Sequence, residues 1–424
     1  MNTSQTCIQQ KKLRQVLSLG LACMISAPAF AGGLYISEFG QPGMGMSGAG
    51  WNVLAEDAST GVGNAAGIFW LDDDSEWMVT GLYVTPSMKF RSEEGTTVPG
   101  VDGGDAGVSA IGGSLFHSRK LSDKWGLGIG VNSISAAAIR YDTDFVGRHW
   151  AQKVDLLTIT TTANLAYQVN DSFAVYVGVP MMFGRLDQNV AIPALVGPAL
   201  PERDGLAKVS DGKDFSATIS FGLYWESDEK TRWALTFLGK NKLNFDGDLE
   251  VTLPGVGSGN TIENIDATLG VPFPRALAGS IARDVSDRTT LFATVGWEDW
   301  SELDDILIDT DAGSGQFSYD WEDTWKFALG LRIRGNGPWK YYTGVAYDTS
   351  PTSAYKRTAD MPIDRQVRLS FGASYTLDSG KVLNGSFTYA DYGDARIDNS
   401  NGGGHVVGEY STNRIIFAGF SVNW

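Results

Sequence analysis

Long and short connections alternate strictly between fourteen amphipathic segments of this chain, and few folds tolerate that rhythm. The segments lie at 76–90, 106–118, 124–135, 152–169, 172–188, 213–227, 231–252, 273–285, 289–303, 317–334, 338–349, 365–377, 381–396 and 408–424. The connections Lys120 to Asp123, Asn170-Asp171, Ser227 to Lys230, Ser286-Asp287, Gly335 to Gly337 and Asp378 to Gly380 are tight. Those beginning near Arg91, Ala136, Asn189, Thr252, Asp304, Ser350 and Ile397 are long. Within the segments every second residue is apolar: Leu157, Ile159, Ala163, Leu165 and Tyr167 alternate with Thr158, Thr160, Thr162 and Asn164. Ile416, Ala418, Phe420, Val422 and Trp424 share one face of the last segment. Successive side chains of a strand point to opposite faces, so each strand has a greasy side and a polar side. A soluble half-buried sheet gives the same alternation but has no reason to clip every second loop. A barrel crossing an outer membrane does.

The start of the chain fits that destination. Lys11, Lys12 and Arg14, the apolar run Val16 to Ile25 and Ala29-Phe30-Ala31 predict a signal peptide over 1–31. Both cysteines, Cys7 and Cys23, fall inside it, which leaves the mature chain none for disulfides or metal. Removing the three positive charges of this segment takes the formal net charge from −16 to −19, which argues against nucleic-acid binding. The carboxylates cluster in loops, at Asp72 to Asp74 and Asp304-Asp305 for example, where solvated charge is the default and no metal site is assigned. No later stretch reaches the eighteen or so apolar residues of a membrane helix, yet strands hide apolar content in alternation. Fourteen strands enclose more lumen than their own side chains fill. Residues 32–75, rich in Gly, Ala, Ser and Met without strand period, are the expected stopper. The expected fold class is all-β: a 14-stranded antiparallel transmembrane β-barrel over 76–424 with an N-terminal hatch, 32–75, plugging the lumen.

Several ordered motifs carry a resemblance. They are Glu56-Asp57-Ala58-Ser59-Thr60, Asn64-Ala65-Ala66-Gly67, Tyr141-x-x-x-Phe145-x-Gly147-Arg148-x-x-Ala151, Trp297-x-x-Trp300-Ser301, Asp323-Thr324-Trp325 and Met361-Pro362-x-Asp364-Arg365. Together they resemble the long-chain fatty-acid transporter (FadL) family of outer-membrane proteins, over nearly the whole mature chain. The resemblance implies passive import of hydrophobic molecules: capture in a greasy groove between two extracellular loops, transfer to a pocket beside the hatch, and release through a gap in the wall. It implies residence in the outer membrane of a Gram-negative bacterium, contact with lipid and lipopolysaccharide, a monomer, no cofactor and no catalysis.

Candidate residues follow from this frame. The apolar third loop, with Ile192, Leu195, Val196 and Leu200, and the fourth, with Leu253, Val256, Leu269, Val271 and Phe273, are the expected groove, unless they only pack over the barrel mouth. Phe39 and Asn64 are the hatch residues assigned to the pocket, and Asn64, Ala65, Ala66 and Gly67 the gating motif. Gly126, Gly128 and Gly130 mark the expected wall opening, since strand glycines accompany bulges, although they suit ordinary barrel packing as well. Arg185 is expected on the lumenal face near the ligand head group, or else paired with a lumenal acid. Two positions depart from the family. Ala65 replaces the proline of an Asn-Pro-Ala motif. Glu322 stands at a place where a lysine would suit a fatty-acid carrier, and it favours neutral aliphatic or aromatic hydrocarbons as an alternative cargo. A general porin is the rival from another class, opposed by the plug and the apolar loop. His117, His149 and His405 lack catalytic company, so no enzyme is expected.

Overall fold

The computed structural model describes residues 42–132, 136–194, 200–254, 261–303, 305–310, 313–401 and 403–424. The signal segment, Phe39, Leu195, Val196 and Val256 lie outside them. The strands are β1 Ser75–Ser92, β2 Ala110–Lys120, β3 Trp125–Asn132, β4 Ala136–Arg140, β5 Lys153–Asn170, β6 Phe173–Ile192, β7 Gly205–Ala217, β8 Ser220–Asp228, β9 Thr231–Leu238, β10 Asn241–Thr252 and β11 Thr261–Phe273. There follow β12 Ala276–Ser286, β13 Thr289–Glu298, β14 Asp305–Thr310, β15 Gly313–Ser318, β16 Thr324–Arg334, β17 Trp339–Asp348, β18 Gln366–Thr376, β19 Val382–Asp391, β20 Ile397–Asn401 and β21 Gly404–Asn423. Several are halves of one pass: β6 pairs with β8 at one end and with β7 at the other. The wall is thus fourteen antiparallel passes, closed where β1 meets β21 from Met78↔Asn423 to Ser92↔Gly408. Closure gives the edge strands partners, which lipid demands because it offers none.

The outer surface carries the greasy residues read from the alternation. Leu157, Ile159, Leu165, Phe371, Leu329 and Phe420 are exposed. Trp77, Trp125, Trp225, Trp233, Trp339 and Trp424 ring the short-turn end, where indoles settle at a membrane interface. Toward the long-loop end the pattern inverts. On β6 the outward series Val177, Val179 and Phe183 continues as Arg185 and Asp187, while the inward series turns apolar at Leu186 and Val190. On β10 and β11 the inward Leu243, Phe245, Leu249, Leu269, Val271 and Phe273 are buried, with Lys242, Asp246 and Asp266 outside. Above the lipid, water wets the outer face and the lumen is the dry side, so the alternation persists with its sense reversed. This overturns two expectations. Leu269, Val271 and Phe273 belong to wall strand β11, not a free loop. Arg185 points outward, half exposed, and pairs with Asp187 and Asp211 at 3.3 Å each.

Residues 42–74 run inside the ring. Ser47 Oγ donates to Gly344 O (3.1 Å), Gly50 N–H to Thr294 Oγ1 (2.8 Å), Asn52 Nδ2 to Thr236 Oγ1 (3.0 Å) and Gly61 N–H to Ser118 Oγ (2.9 Å). These tie the segment to four separate strands. Glu56 pairs with Arg332 and accepts from Lys340 Nζ (3.3 Å) and Tyr342 Oη (3.1 Å). A cluster of Met46, Ala49, Val53, Leu54, Ala65, Ala66 and Ile68 packs on small and aromatic inner residues such as Ala166, Phe292 and Tyr342.

The inversion predicts position-dependent costs for charge on the outer face. Leu329→Arg, within the greasy band, should lower folding stability in lipid by about 2–4 kcal/mol. Asn244→Arg, above the boundary, should change it by less than about 0.5 kcal/mol. Urea titration of refolding into vesicles distinguishes the two; equal costs would place the boundary elsewhere.

Candidate functional site

Among the described residues, one stretch of β2 has a paired neighbour on one side only. β2 pairs with β1 along Ala110–Arg119, but with β3 only from Leu115↔Val131 to Lys120↔Gly126. The same register resumes beyond a gap in the single bridge Gly107↔Ile139. Between these points, among the described residues, Ala110 to Ser114 have no second neighbour, and Ala136 to Ala138 of β4 pair with β5 alone. Ala110, Ile111, Gly112 and Gly113 are exposed in succession, Ile111 by 85%, where a wall strand flanked on both sides would alternate.

Gly126, Gly128 and Gly130 are not where pairing lapses. All three lie in a stretch of β3 held on both edges, by β2 and by β5. Their lack of side chains serves the inner segment: a Cβ on Gly128 would stand 2.0 Å from Gly61 O, and one on Gly130 2.4 Å from Val62 Cγ2. The glycines let the turn Thr60–Gly63 press against the wall, and Asn164 Nδ2 fixes that turn by donating to Gly61 O (2.8 Å).

Above this turn lies a cavity of about 200 Å³. Trp51, Val62 and Gly63 of the inner segment line it, with Asn132 and Thr160 on the side of the lapse and Lys326, Asp348 and Arg368 among its other lining residues. The volume falls below the roughly 300–1,000 Å³ of pockets that enclose a drug-sized ligand, so one end of a chain or a compact ring fits without rearrangement. Arg368 and Asp348 pair at 3.1 Å.

Further out, the lumen is filled by one apolar cluster drawn from strands and loops. Ile192 and Phe273 belong to it and Leu253 packs against it, so these three expected groove residues are brought together; Leu200 is half-buried. Loop residues without an assigned role join them: Tyr141, Phe145, Trp150, Ala359, Met361 and Ile363. Tyr141 stacks on Phe145 with centroids 4.1 Å apart and donates through Oη to Ala359 O (2.8 Å). Arg148 Nε donates to Asp204 Oδ2 (2.7 Å) and His149 Nε2 lies 2.9 Å from the same oxygen, joining two long loops. Burial opposes ionisation of Asp204, yet the hydrogen bonds from His149 and Arg148 hold its carboxyl below the usual range.

Asn64 does not face the cavity. Its Nδ2 donates to Asn52 O and Leu223 O, both at 2.9 Å, and its Oδ1 accepts from Ala66 N–H at 3.2 Å. It caps the 3₁₀ turn Ala65–Trp70, so the side chain of Asn64 fixes the backbone that a proline at 65 would have constrained. Ala65, Ala66 and Gly67 are buried beneath it. Glu322 is exposed at the rim, so it repels nothing in the lumen; the cations lining the cavity are Lys326 and Arg368. Sequence reasoning missed Trp51, Asn132 and Thr160 as site residues. Only Thr160 had a signal, its place on the polar face of its strand.

Residues 22–423 match the family described as outer membrane protein transport protein (OMPP1/FadL/TodX). The chain belongs to this family. Among its relatives, the long-chain fatty acid transport protein of Escherichia coli O6:H1 is 23% identical over 413 residues, covering 90% of this chain and 92% of that protein. The 47 kDa outer membrane protein of Pasteurella multocida is 23% identical over 404 residues, with 89% and 91% covered. A Pseudomonas aeruginosa FadL homologue shares the fold with a TM-score of 0.83 at 19% identity, covering 92% of this chain and 99% of its own. The Pseudomonas putida toluene transporter TodX aligns with a TM-score of 0.69 at 16% identity, covering 91% and 98%. Membership makes this FadL-family chain an outer-membrane transporter of hydrophobic compounds and not an enzyme.

The loop cap carries a pH signature. Asp360, in the connection between β17 and β18, is fully buried and its Oδ2 accepts from Tyr319 Oη (2.7 Å). Burial pushes its carboxyl up to about 7. The folded state thus holds this proton more tightly than the unfolded chain, whose Asp titrates near about 3.9. The stabilising contribution is complete below that value and lost as pH rises toward about 7. Hydrogen exchange at 359–363, corrected for intrinsic rates, should be faster at pH 8 than at pH 5, and Asp360→Asn should abolish the difference.

Proposed function

We propose that this protein takes up hydrophobic amphiphiles such as long-chain fatty acids passively, by capture among the extracellular loops, binding in the cavity over residues 42–74, and lateral release through the lapse between β2 and β3–β4. The observation that carries this reading is the position of Asn132. It lines the cavity and stands one residue beyond Val131, the last residue of β3 paired with β2 among the described residues, so cavity and lapse adjoin. A lateral exit suits the cargo, because the ligand leaves toward hydrocarbon without crossing water, and each buried CH₂ is worth about 0.8 kcal/mol. The apolar cluster at the mouth supplies the matching surface for capture. The relative from Escherichia coli that bears the name of a long-chain fatty acid transport protein supports the substrate class. The likeness to a toluene transporter keeps a neutral hydrocarbon as the second reading. The inner segment acts as the hatch, held by its hydrogen bonds to the wall and by Glu56 with Arg332 and Lys340.

Two experiments test this function. Deleting residues 42–70 should leave a folded barrel that conducts ions across a planar bilayer, whereas the intact protein stays closed; equal conductance would favour a porin. Cysteines introduced as Ala110→Cys and Ala136→Cys occupy partner positions if the β2–β3 register is extended across the lapse. Their disulfide should stop uptake of a labelled fatty acid by cells while binding persists, and a reductant should restore it. Uptake undiminished by the cross-link would rule out the lateral route.

A further inference from the structure

The cavity is lined by polar side chains of two kinds. Thr236 Oγ1 accepts from Asn52 Nδ2 (3.0 Å), Thr294 Oγ1 from Gly50 N–H (2.8 Å), and Ser220 Oγ donates to Asn164 Oδ1 (3.3 Å). These groups are satisfied within the protein. Asn132 Oδ1 and Thr160 Oγ1 are not: both are buried, both residues line the cavity, and neither atom has a hydrogen-bond partner among the described residues. The two residues are direct cross-strand neighbours, Asn132↔Thr160. Such neighbours have Cβ atoms about 4.5–5.5 Å apart, so one small group can reach both.

We propose that this pair is a subsite for a hydroxyl group on the ligand, and that the preferred cargo is therefore a hydroxylated long-chain amphiphile. The proposal rests on the uptake function above and narrows its substrate class. The reasoning is one of complementary donors. An amide oxygen accepts only, and a threonine hydroxyl both donates and accepts. A ligand hydroxyl donates its proton to Asn132 Oδ1 and accepts the proton of Thr160 Oγ1, satisfying both in one placement. A carboxylate accepts only and would leave Asn132 Oδ1 without a donor. A hydrocarbon satisfies neither, and buried polar groups left unpaired penalise the complex that leaves them so. The charged lining includes two bases, Lys326 and Arg368, and two acids, Glu298 and Asp348, and Arg368 pairs with Asp348 at 3.1 Å.

The test compares hexadecanoic acid with the same acid hydroxylated at mid-chain, by equilibrium dialysis against the purified full-length protein in detergent. The wild-type protein should bind the hydroxylated acid about tenfold more tightly. Thr160→Val combined with Asn132→Leu should bring the ratio to one, through a loss of affinity for the hydroxylated acid that hexadecanoic acid does not share. Thr160→Ser, which keeps the hydroxyl, should retain most of the preference. A wild-type ratio of one overturns the subsite, as does a preference that survives the double substitution. An equal fall in both affinities overturns it too, since the pair would then shape the cavity without reading the hydroxyl. Failure of either acid to bind at all would instead strike the uptake function.

Discussion

Every backbone N–H and C=O within the hydrocarbon layer needs a partner that lipid cannot supply, and the rest of this structure answers to that requirement. It forces β1 onto β21 to close the wall. It sets the lumen wide enough to need filling, which residues 42–74 do from the short-turn side and the loop cluster does from the other. It also makes the lapse beside β2 conspicuous. Among the described residues the β2–β3 ladder on one side of it and the bridge Gly107↔Ile139 on the other keep one register, and β3 is also paired with β5.

The interior polar chemistry follows from the same geometry. Inward positions within the lipid band face other protein, so serine, threonine and asparagine there can be satisfied by the inner segment, as Ser118 and Asn164 are by Ala58 and Gly61. Two buried arginines have acidic partners: Arg332 with Glu56 and Asp284, and Arg368 with Asp348. Breaking a buried pair by removing one partner costs far more than the pair itself contributes, which makes Glu56 with Arg332 an effective latch for the inner segment beside its apolar packing. Of the buried polar atoms without a hydrogen-bond partner, the oxygens of Asn132 and Thr160 belong to cross-strand neighbours at the boundary between cavity and wall.

Much of this was legible in the residues. Leu157 to Tyr167 and the final Ile416 to Trp424 series gave wall strands with the correct outer faces, because lipid imposes a strict period of two. Arg185 and Phe273 were misplaced for one shared reason. The alternation continues past the lipid boundary while its sense reverses, and a sequence does not mark the height at which water replaces hydrocarbon. Gly128 was flagged as special, but whether a glycine bends a strand or admits a neighbour depends on what lies 2.0 Å from its missing Cβ.

The sequence by itself determined the architecture: the number of passes, their antiparallel order and the greasy outer skin are written in local periodicity and connection length, which act between near neighbours. Only the tertiary structure decided where the ladder fails, which side chains meet over the inner segment, and which of them remain without a partner. Those features depend on residues hundreds of positions apart, such as Ser47 with Ser370, whose meeting no local pattern encodes.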